Sequence, residues 1–467
     1  MKFISWGAAE QVTGSMHMLS LDNGYTILID CGLDYDNNRK AIENDYFPFD
    51  INEIDLIVLT HAHIDHSGNL PTIVKHGYSG QIISTAATRD LAEVLMSDSV
   101  EVFMSRVEKG RKNKKNKRAF KDVPERPLYL HRHVAETVDR FVTLPFHQEF
   151  KISENLSIEL IPSGHLLGAA SVIIKVNESG QRKSICFSGD IGRRNYPILC
   201  DPEYPKDIDY LVCESTYGGR LHSKGKTIEE VLIEPIEDTC IKQAGRLIIP
   251  AFSIGRTQAL VYVLHKIFND KKLAPVKIFV DSPLSIAGTE VYRKHHQLLN
   301  DEAQSFFKQF GDEFEFEGLR YVETLKESKQ ISNYFEPCII ISSAGMLEGG
   351  RIQDHLYYNI QNYYANILFI GFCAPGTLGR RLLDGVPVVK INGRELSVFA
   401  GIKQTDLLSA HADHEDLINF VKSNDSNKLK KVFLVHGEPK SMQALQTNLE
   451  LMGYTTEIAK KSIAYQL

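Results

Sequence analysis

The sequence predicts an α/β protein with a β-rich start and a later segment built on a parallel sheet. Three observations carry this. Short β-branched runs bounded by turn residues crowd the first two hundred positions, strand and helix patterns alternate strictly after Tyr217, and the tail adds one more helix, strand and helix. In order, "KFISWGA", "HMLSL", "YTILIDCG" and "IDLIVLT" read as strands, "ATRDLAEVLMSDSVEVFMSRV" and "HVAETVDRF" as helices, and "LSIELIPSG", "SVIIKV", "SICFSGD" and "DYLVCES" as strands again. From about 218 to 397 come "TIEEVLIEPIEDTCIKQAG", "RLIIPAF", "RTQALVYVLHKIFND", "VKIFVDSP", "PCIIISSAG" and "NILFIGF", an alternation that argues parallel strands joined by crossover helices. The expected division is therefore 1–217, 218–397 and 398–467.

At 467 residues, 43 % hydrophobic and 24 % charged, the chain can fill two or three cores and has no fibrous or disordered bias. "MKFISWGAAEQVTGS" lacks a signal-peptide core and no apolar run approaches a membrane span, which leads us to expect a cytoplasmic protein. Seven cysteines without a CxxC pair, mostly in strand-like runs, suit buried thiols. The net charge of −6 means that a phosphate-rich partner must be drawn by local features. One such feature is residues 109–121, "KGRKNKKNKRAFK", with eight basic residues and no acid, either a solvated loop or a nucleic-acid contact.

The chemistry concentrates at strand ends. Asp30 ends "YTILID", His61 follows "IDLIVLT", His165 follows "LSIELIPSG", Asp190 ends "ICFSGD", Glu214 ends "YLVCE" and His436 ends "VFLVH". Carboxyl ends of strands are where ligands gather in α/β sheets, so these distant residues can converge. "THAHIDHSGNLP", residues 60–71, places His61, His63, Asp65 and His66 within six positions. Imidazole and carboxylate are ligands of zinc and similar ions, and this many exceed the needs of one tetrahedral ion. A two-metal site bridged by a carboxylate such as Asp190 is the economical reading. The alternative is a polar turn in which Asp65 merely caps a helix.

"THAHIDHSGNLP" with Asp30, His165 and Asp190 in order resembles the metallo-β-lactamase fold. Glu214 in "CESTYG", His411 in "LSAHADH" and His436 in "FLVHGE", with "IPAFSIGRTQ", "SSAGMLEGGR" and "GTLGRRL", narrow the resemblance to its β-CASP branch. That branch is typified by bacterial RNA nucleases and by the nuclease subunit of the mRNA 3′-end cleavage complex. The resemblance covers essentially the whole chain. It implies an αββα sandwich interrupted by a β-CASP cap domain at about 218–397. It also implies two zinc ions, one held by His61, His63 and His165, the other by Asp65, His66 and His436, with Asp190 bridging and Asp30 supporting the loop. A histidine at 436 goes with RNA processing in the family, whereas DNA-repair members typically carry a small apolar residue there. His411 would protonate the leaving oxygen, Glu214 would orient it, and metal-activated hydroxide would leave a 5′-phosphate and a 3′-hydroxyl.

Substrate grip is expected from the 218–397 segment. "SSAGMLEGGRIQDHL" sets Ser342, Ser343 and a glycine-rich turn before a helix that carries Arg351 near its start, where backbone amides and an arginine suit a phosphate. Arg256 and Arg380 are similar candidates. Competing functions are a thioester or lactone hydrolase of the same fold, a DNA nuclease and a non-catalytic RNA-binding scaffold. The long insertion and His411 argue against the first, and a complete set of ligand positions against the last. The sequence leaves endonuclease against 5′-exonuclease action open, and likewise a homodimer.

Overall fold

The computed structural model describes residues 1–34, 43–112, 126–178, 180–223 and 225–467. Most of the basic run at 109–121 lies outside these residues. The chain divides into two compact units, one of residues 1–194, 201–221 and 411–467, the other of 195–200 and 222–410.

The first unit holds two seven-stranded sheets. One runs in the order Ala464–Gln466, Lys2–Gly7, Met16–Ser20, Thr26–Ile29, Leu56–Val58, Gln81–Ser84 and Phe141–Thr143, antiparallel at the start and parallel from Thr26–Ile29 onward. The other runs Thr456–Ile458, Lys431–Val435, Tyr210–Glu214, Gln181–Phe187, Ala170–Glu178, Leu156–Pro162 and Phe150–Ser153. Its strands are parallel up to Gln181–Phe187 and antiparallel beyond.

The apolar runs of the sequence are long because both faces of these strands are covered. Phe3, Ile27, Ile29, Val58 and Ile83 of the first sheet share one core with Val172, Ile174, Ile185, Phe187, Val212, Phe433 and Val435 of the second. The residues alternating with the latter group, Ile173, Cys186, Leu211, Cys213, Val432 and Leu434, pack instead with Leu417, Phe420 and Val421 of the helix His414–Lys422 and Leu445 and Leu449 of the helix Pro439–Leu451. Each fully buried side chain of this kind is worth about 1.5–3 kcal/mol. Stability therefore resides in the strand interiors, which leaves the strand ends free for polar residues.

The second unit is built on a six-stranded, wholly parallel sheet in the order Leu319–Tyr321, Lys277–Asp281, Cys338–Ser342, Arg246–Pro250, Ala365–Phe369 and Gly401–Gln404. The strand Gly401–Gln404 pairs with Ala365–Phe369, so the unit continues past 397 to residue 410. Elements that the apolar pattern does not announce include the helices Pro283–Lys294 and Leu325–Ile331 and the hairpin of Val388–Ile391 with Arg394–Ser397. The helix expected over "HVAETVDRF" stops at Val138, and Phe141 opens an edge strand. Six of the seven cysteines are buried and Cys200 is exposed. No described helix is long and apolar enough to cross a membrane.

Candidate metal centre

The first unit gathers ten of the singled-out residues at one edge of its two sheets. Thr26–Ile29 and Leu56–Val58 run parallel in adjacent register, as do Gln181–Phe187, Tyr210–Glu214 and Lys431–Val435. The loops bearing Asp30, His61, Asp190, Glu214 and His436 consequently leave on the same side.

Asp30 sits at φ 62°, a left-handed conformation that aspartate tolerates better than most residues. It is 1 % exposed, and its Oδ1 accepts from the Thr60 amide at 2.8 Å. Its Oδ2 accepts from Thr60 Oγ1 at 2.9 Å and from His66 Nδ1 at 2.7 Å. Thr60 has one hydroxyl proton, and Asp30 takes it. Thr60 Oγ1 must then accept from His61 Nδ1–H, 3.1 Å away. One carboxylate thereby places the protons of two imidazoles on Nδ1 and leaves both Nε2 lone pairs available.

The short helix Ile64–Ser67 is capped by His63, not by Asp65, which lies in its first turn. The capping alternative for Asp65 therefore does not describe this turn. Its backbone is stitched to the neighbouring loop by Cys31 N–H to His66 O (2.8 Å) and Ser15 N–H to Asp65 O (2.7 Å). Gly32 has to be glycine, since a Cβ there would fall 1.6 Å from Asp65 O.

Three groups of ligand atoms result. His61, His63, His165 and Asp190 form the first, Asp65, His66 and His436 the second, and Asp190, Glu214 and His436 a third that shares Asp190 with the first and His436 with the second. In the first, His63 Nδ1 lies 3.2 Å from His61 Nε2 and 3.1 Å from His165 Nε2. Tetrahedral zinc with bonds of about 2.0–2.1 Å sets its ligand atoms about 3.3 Å apart, so this spacing fits one ion. In the second, His66 Nε2 and His436 Nε2 are 3.2 Å apart, with Asp65 Oδ2 3.6 Å from the latter. Asp190 stands between these two groups. Its Oδ2 is 3.6 Å from His61 Nε2 and 3.5 Å from His165 Nε2, and its Oδ1 is 3.3 Å from His66 Nε2.

Asp190 Oδ1 is buried and has no hydrogen-bond partner. An orphaned carboxylate oxygen in the interior is costly, and a cation between it and two imidazoles removes the cost. The residues present thus fit a divalent pair. Electrostatics agree: burial pushes His61 and His165 well below the ordinary imidazole range and His63 to about 4, so these three are neutral and ligand-ready. The second group differs: burial would lower His66 and His436, but Asp190 with Asp30 holds His66 well above the usual value and Asp190 with Asp65 raises His436, so a cation there competes with a proton. Asp190 is held well below the carboxylate range by His436, His66 and His61, against the effect of its burial.

The loops carrying His165, Asp190 and His411 meet at Gly192. Its amide donates to Ser163 O at 2.7 Å, it forms an isolated antiparallel bridge with His411, and a Cβ there would fall 2.1 Å from the Gly164 carbonyl. The His411 ring lies 4.4 Å from that of His165, centroid to centroid, tilted by 47°, and keeps 19 % of its side chain exposed. Glu214, 1 % exposed, reaches His411 Nδ1 only at 3.5 Å. Its hydrogen bonds go to backbone: Oε1 accepts from Ile191 N–H at 2.7 Å and Oε2 from Thr216 N–H at 3.1 Å. Glu214 holds the Asp190 loop as well as approaching His411.

Three further residues belong to this centre and carried no signal of their own: Thr60, Thr216 and His17. His17 lies inside the strand Met16–Ser20, is pushed by burial to about 3, and is held between Ser5 Oγ (3.0 Å) and Ser15 Oγ (3.2 Å).

The expected phosphate-binding residues lie in the second unit, where two of them make bonds within the chain. Arg351 is spent on structure: its Nη1 donates to Asp281 Oδ1 (2.6 Å) and Val322 O (3.0 Å), and its Nη2 to Glu323 O (2.6 Å). Ser342 is buried and donates to Asp281 O. Ser343 donates to Ser282 Oγ at 3.1 Å. Arg380 pairs with Asp384 one helical turn on, with nearly half its side chain exposed. Arg256 lies over the Phe252 ring at 4.7 Å.

Three family models match the chain. A metallo-beta-lactamase superfamily domain matches residues 18–186, a Beta-Casp domain 257–382, and a Zn-dependent metallo-hydrolase RNA specificity domain 395–459. Among similar proteins is "Ribonuclease TTHA0252" of Thermus thermophilus, 30 % identical over 460 residues that make up 98 % of each chain. Others are the proteins named "Transcription termination factor FttA" of Methanocaldococcus jannaschii, 28 % identical over 88 % of this chain and 63 % of that one, and of Pyrococcus abyssi, 29 % identical over 95 % and 67 %. The chain spans about two thirds of the length of these archaeal relatives.

Proposed function

Because the chain belongs to the β-CASP family of the metallo-β-lactamase superfamily and a 30 % identical relative is named a ribonuclease, we propose that it hydrolyses RNA phosphodiester bonds at a two-zinc centre. The observation that carries this reading is Asp190, whose two oxygens face two separate groups of imidazoles. His61, His63 and His165 would hold one ion, Asp65, His66 and His436 the other, and Asp190 would bridge them. Ions bound there would supply an activated water and neutralise charge on the attacked phosphate.

The chain's own residues do the rest. Asp30 and Thr60 hold the Nδ1 atoms of His66 and His61, so that the Nε2 atoms face the ion positions. His411, beside His165 and still reaching solvent, donates a proton to the departing 3′ oxygen, so that the products carry a 5′-phosphate and a 3′-hydroxyl. Glu214 keeps negative charge 3.5 Å from His411 Nδ1 and fixes the loop between Asp190 and Gly192. Ser343, Arg256 and Arg380 remain candidates for phosphate contacts in the second unit. RNA recognition is supported by the match to an RNA specificity domain over 395–459, the segment that contains both His411 and His436.

The test is incubation of the zinc-loaded chain with RNA labelled at either end, beside matching DNA, a thioester and a lactone, with His63→Ala as control. RNA cleavage lost in His63→Ala is the expected result. Intact RNA with thioester or lactone hydrolysis would contradict the reading.

A further inference from the structure

The tripeptide Glu214–Ser215–Thr216 follows a strand of the second sheet, and each of its side chains holds a different piece of the centre. Glu214 Oε1 accepts from the amide of Ile191, next to Asp190. Ser215 Oγ donates to Val435 O at 2.7 Å, and the Ser215 amide donates to His436 O at 3.1 Å. Thr216 Oγ1 lies 3.2 Å from His436 O and 3.1 Å from His436 Nδ1. The tripeptide is a bracket between the loop of the bridging carboxylate and the loop of His436.

The proton count at Thr216 is constrained. A hydroxyl has one proton to give, and a carbonyl oxygen can only accept. With its proton on His436 O, Thr216 Oγ1 accepts from Nδ1–H. The other group near that nitrogen, Asp190 Oδ1 at 3.4 Å, is also an acceptor. Thr216 Oγ1 in this role calls for the proton on Nδ1, which leaves the lone pair on Nε2, the atom that faces His66 Nε2 at 3.2 Å and Asp65 Oδ2 at 3.6 Å. His436 also adopts φ 50°, a conformation that a histidine holds only when its surroundings fix it, and the bracket together with its amide bond to Ala8 O (2.7 Å) provides that.

We propose that Thr216 is a positioning residue for the second metal ion: it sets the tautomer and ring orientation of His436, as Thr60 does for His61 in the first group. The inference rests on the two-ion reading of the site. Partners of this kind change metal affinity by about 10–100-fold when lost.

The test compares Thr216→Val, which keeps the shape and removes the hydroxyl, with Thr216→Ser, which keeps the hydroxyl. Chelated full-length protein is titrated with zinc against a chromogenic competitor, and the His436 ring nitrogens are followed by nitrogen NMR. We expect Thr216→Val to bind the second ion about 10–100-fold more weakly, with the His436 signal departing from the Nδ1–H pattern, and Thr216→Ser to bind as the wild type does. Equal second-ion affinity in Thr216→Val and wild type overturns the role of Thr216, as does an equal loss in both variants. Fewer than two ions in the wild type overturns the two-ion reading together with it.

Discussion

Asp30 Oδ2 accepts from His66 Nδ1 at 2.7 Å while the same carboxylate takes the hydroxyl proton of Thr60, which in turn accepts from His61. A residue that faces no substrate thus governs one ligand in each metal group. Asp30→Ala should weaken both ions, by about 10–100-fold each, and lower RNA cleavage accordingly. Metal content after dialysis checks this, and loss confined to one ion would show that Thr60 does not relay the effect to His61.

Removing the ions should separate binding from stability. Asp190 Oδ1 has no hydrogen-bond partner within the chain, and bound cations stabilise the folded state by about 2.7 kcal/mol when present at a hundredfold excess over their dissociation constant. A chelator should therefore abolish cleavage and lower the unfolding temperature, with both restored by zinc. Full activity in the chelated, metal-free chain would count against the centre.

His411 does not belong to any of the ligand groups, so its substitution should leave the ions in place. His411→Ala is expected to slow the bond-breaking step by about 10²–10⁴-fold at unchanged metal content. Single-turnover rates with metal analysis on the same sample decide this. Loss of an ion in the variant would reassign His411 as a ligand.

Arg351 makes a contrasting prediction in the second unit. Its guanidinium neutralises Asp281, which is fully buried and also bonded to His355 and Ser328. Breaking such a pair costs about 3–5 kcal/mol, so Arg351→Ala should unfold in less denaturant without changing the salt dependence of RNA binding. A smaller salt slope in a variant of unchanged stability would restore Arg351 as a phosphate contact.

The same cluster gives a pH dependence with a definite sign. Burial alone would raise the Asp281 carboxyl, but His355, Ser328 and Arg351 hold it below its ordinary value. A carboxylate depressed in the folded state contributes stability fully present above its unfolded pKa of about 3.9 and lost as pH falls through the folded value. The stability gap between wild type and Asp281→Asn should thus be constant near neutral pH and close below about pH 4. Denaturant titrations across that range measure it, and a gap that widens on acidification would reverse the assignment.

Much of this was legible in the residues. The strand interiors announce themselves because both faces of the sheets are buried, and the three histidines and one aspartate of 60–71 are close enough in sequence to be read as ligands. Hydroxyl partners were not legible. Thr60 and Thr216 matter through the placement of one proton each, and threonine is too common in strands and turns for sequence to mark it. His17 was hidden for a related reason, since it lies inside a strand and not at its end. The Arg351–Asp281 pair was not legible either, because a glycine-rich turn followed by an arginine suits a phosphate as well as a buried aspartate, and Asp281 lies 70 positions away. The compact unit runs beyond 397 because Gly401–Gln404, "GIKQ", short and weakly apolar, completes the sheet as its edge strand.

The most direct measurement is single-turnover cleavage of RNA by the zinc-loaded chain in water enriched in oxygen-18, with the product ends analysed by mass spectrometry. The account predicts one heavy oxygen in a 5′-phosphate and an unlabelled 3′-hydroxyl on the other fragment. A 2′,3′-cyclic phosphate with a 5′-hydroxyl would show that the RNA's own 2′-hydroxyl is the attacking group, and would contradict it.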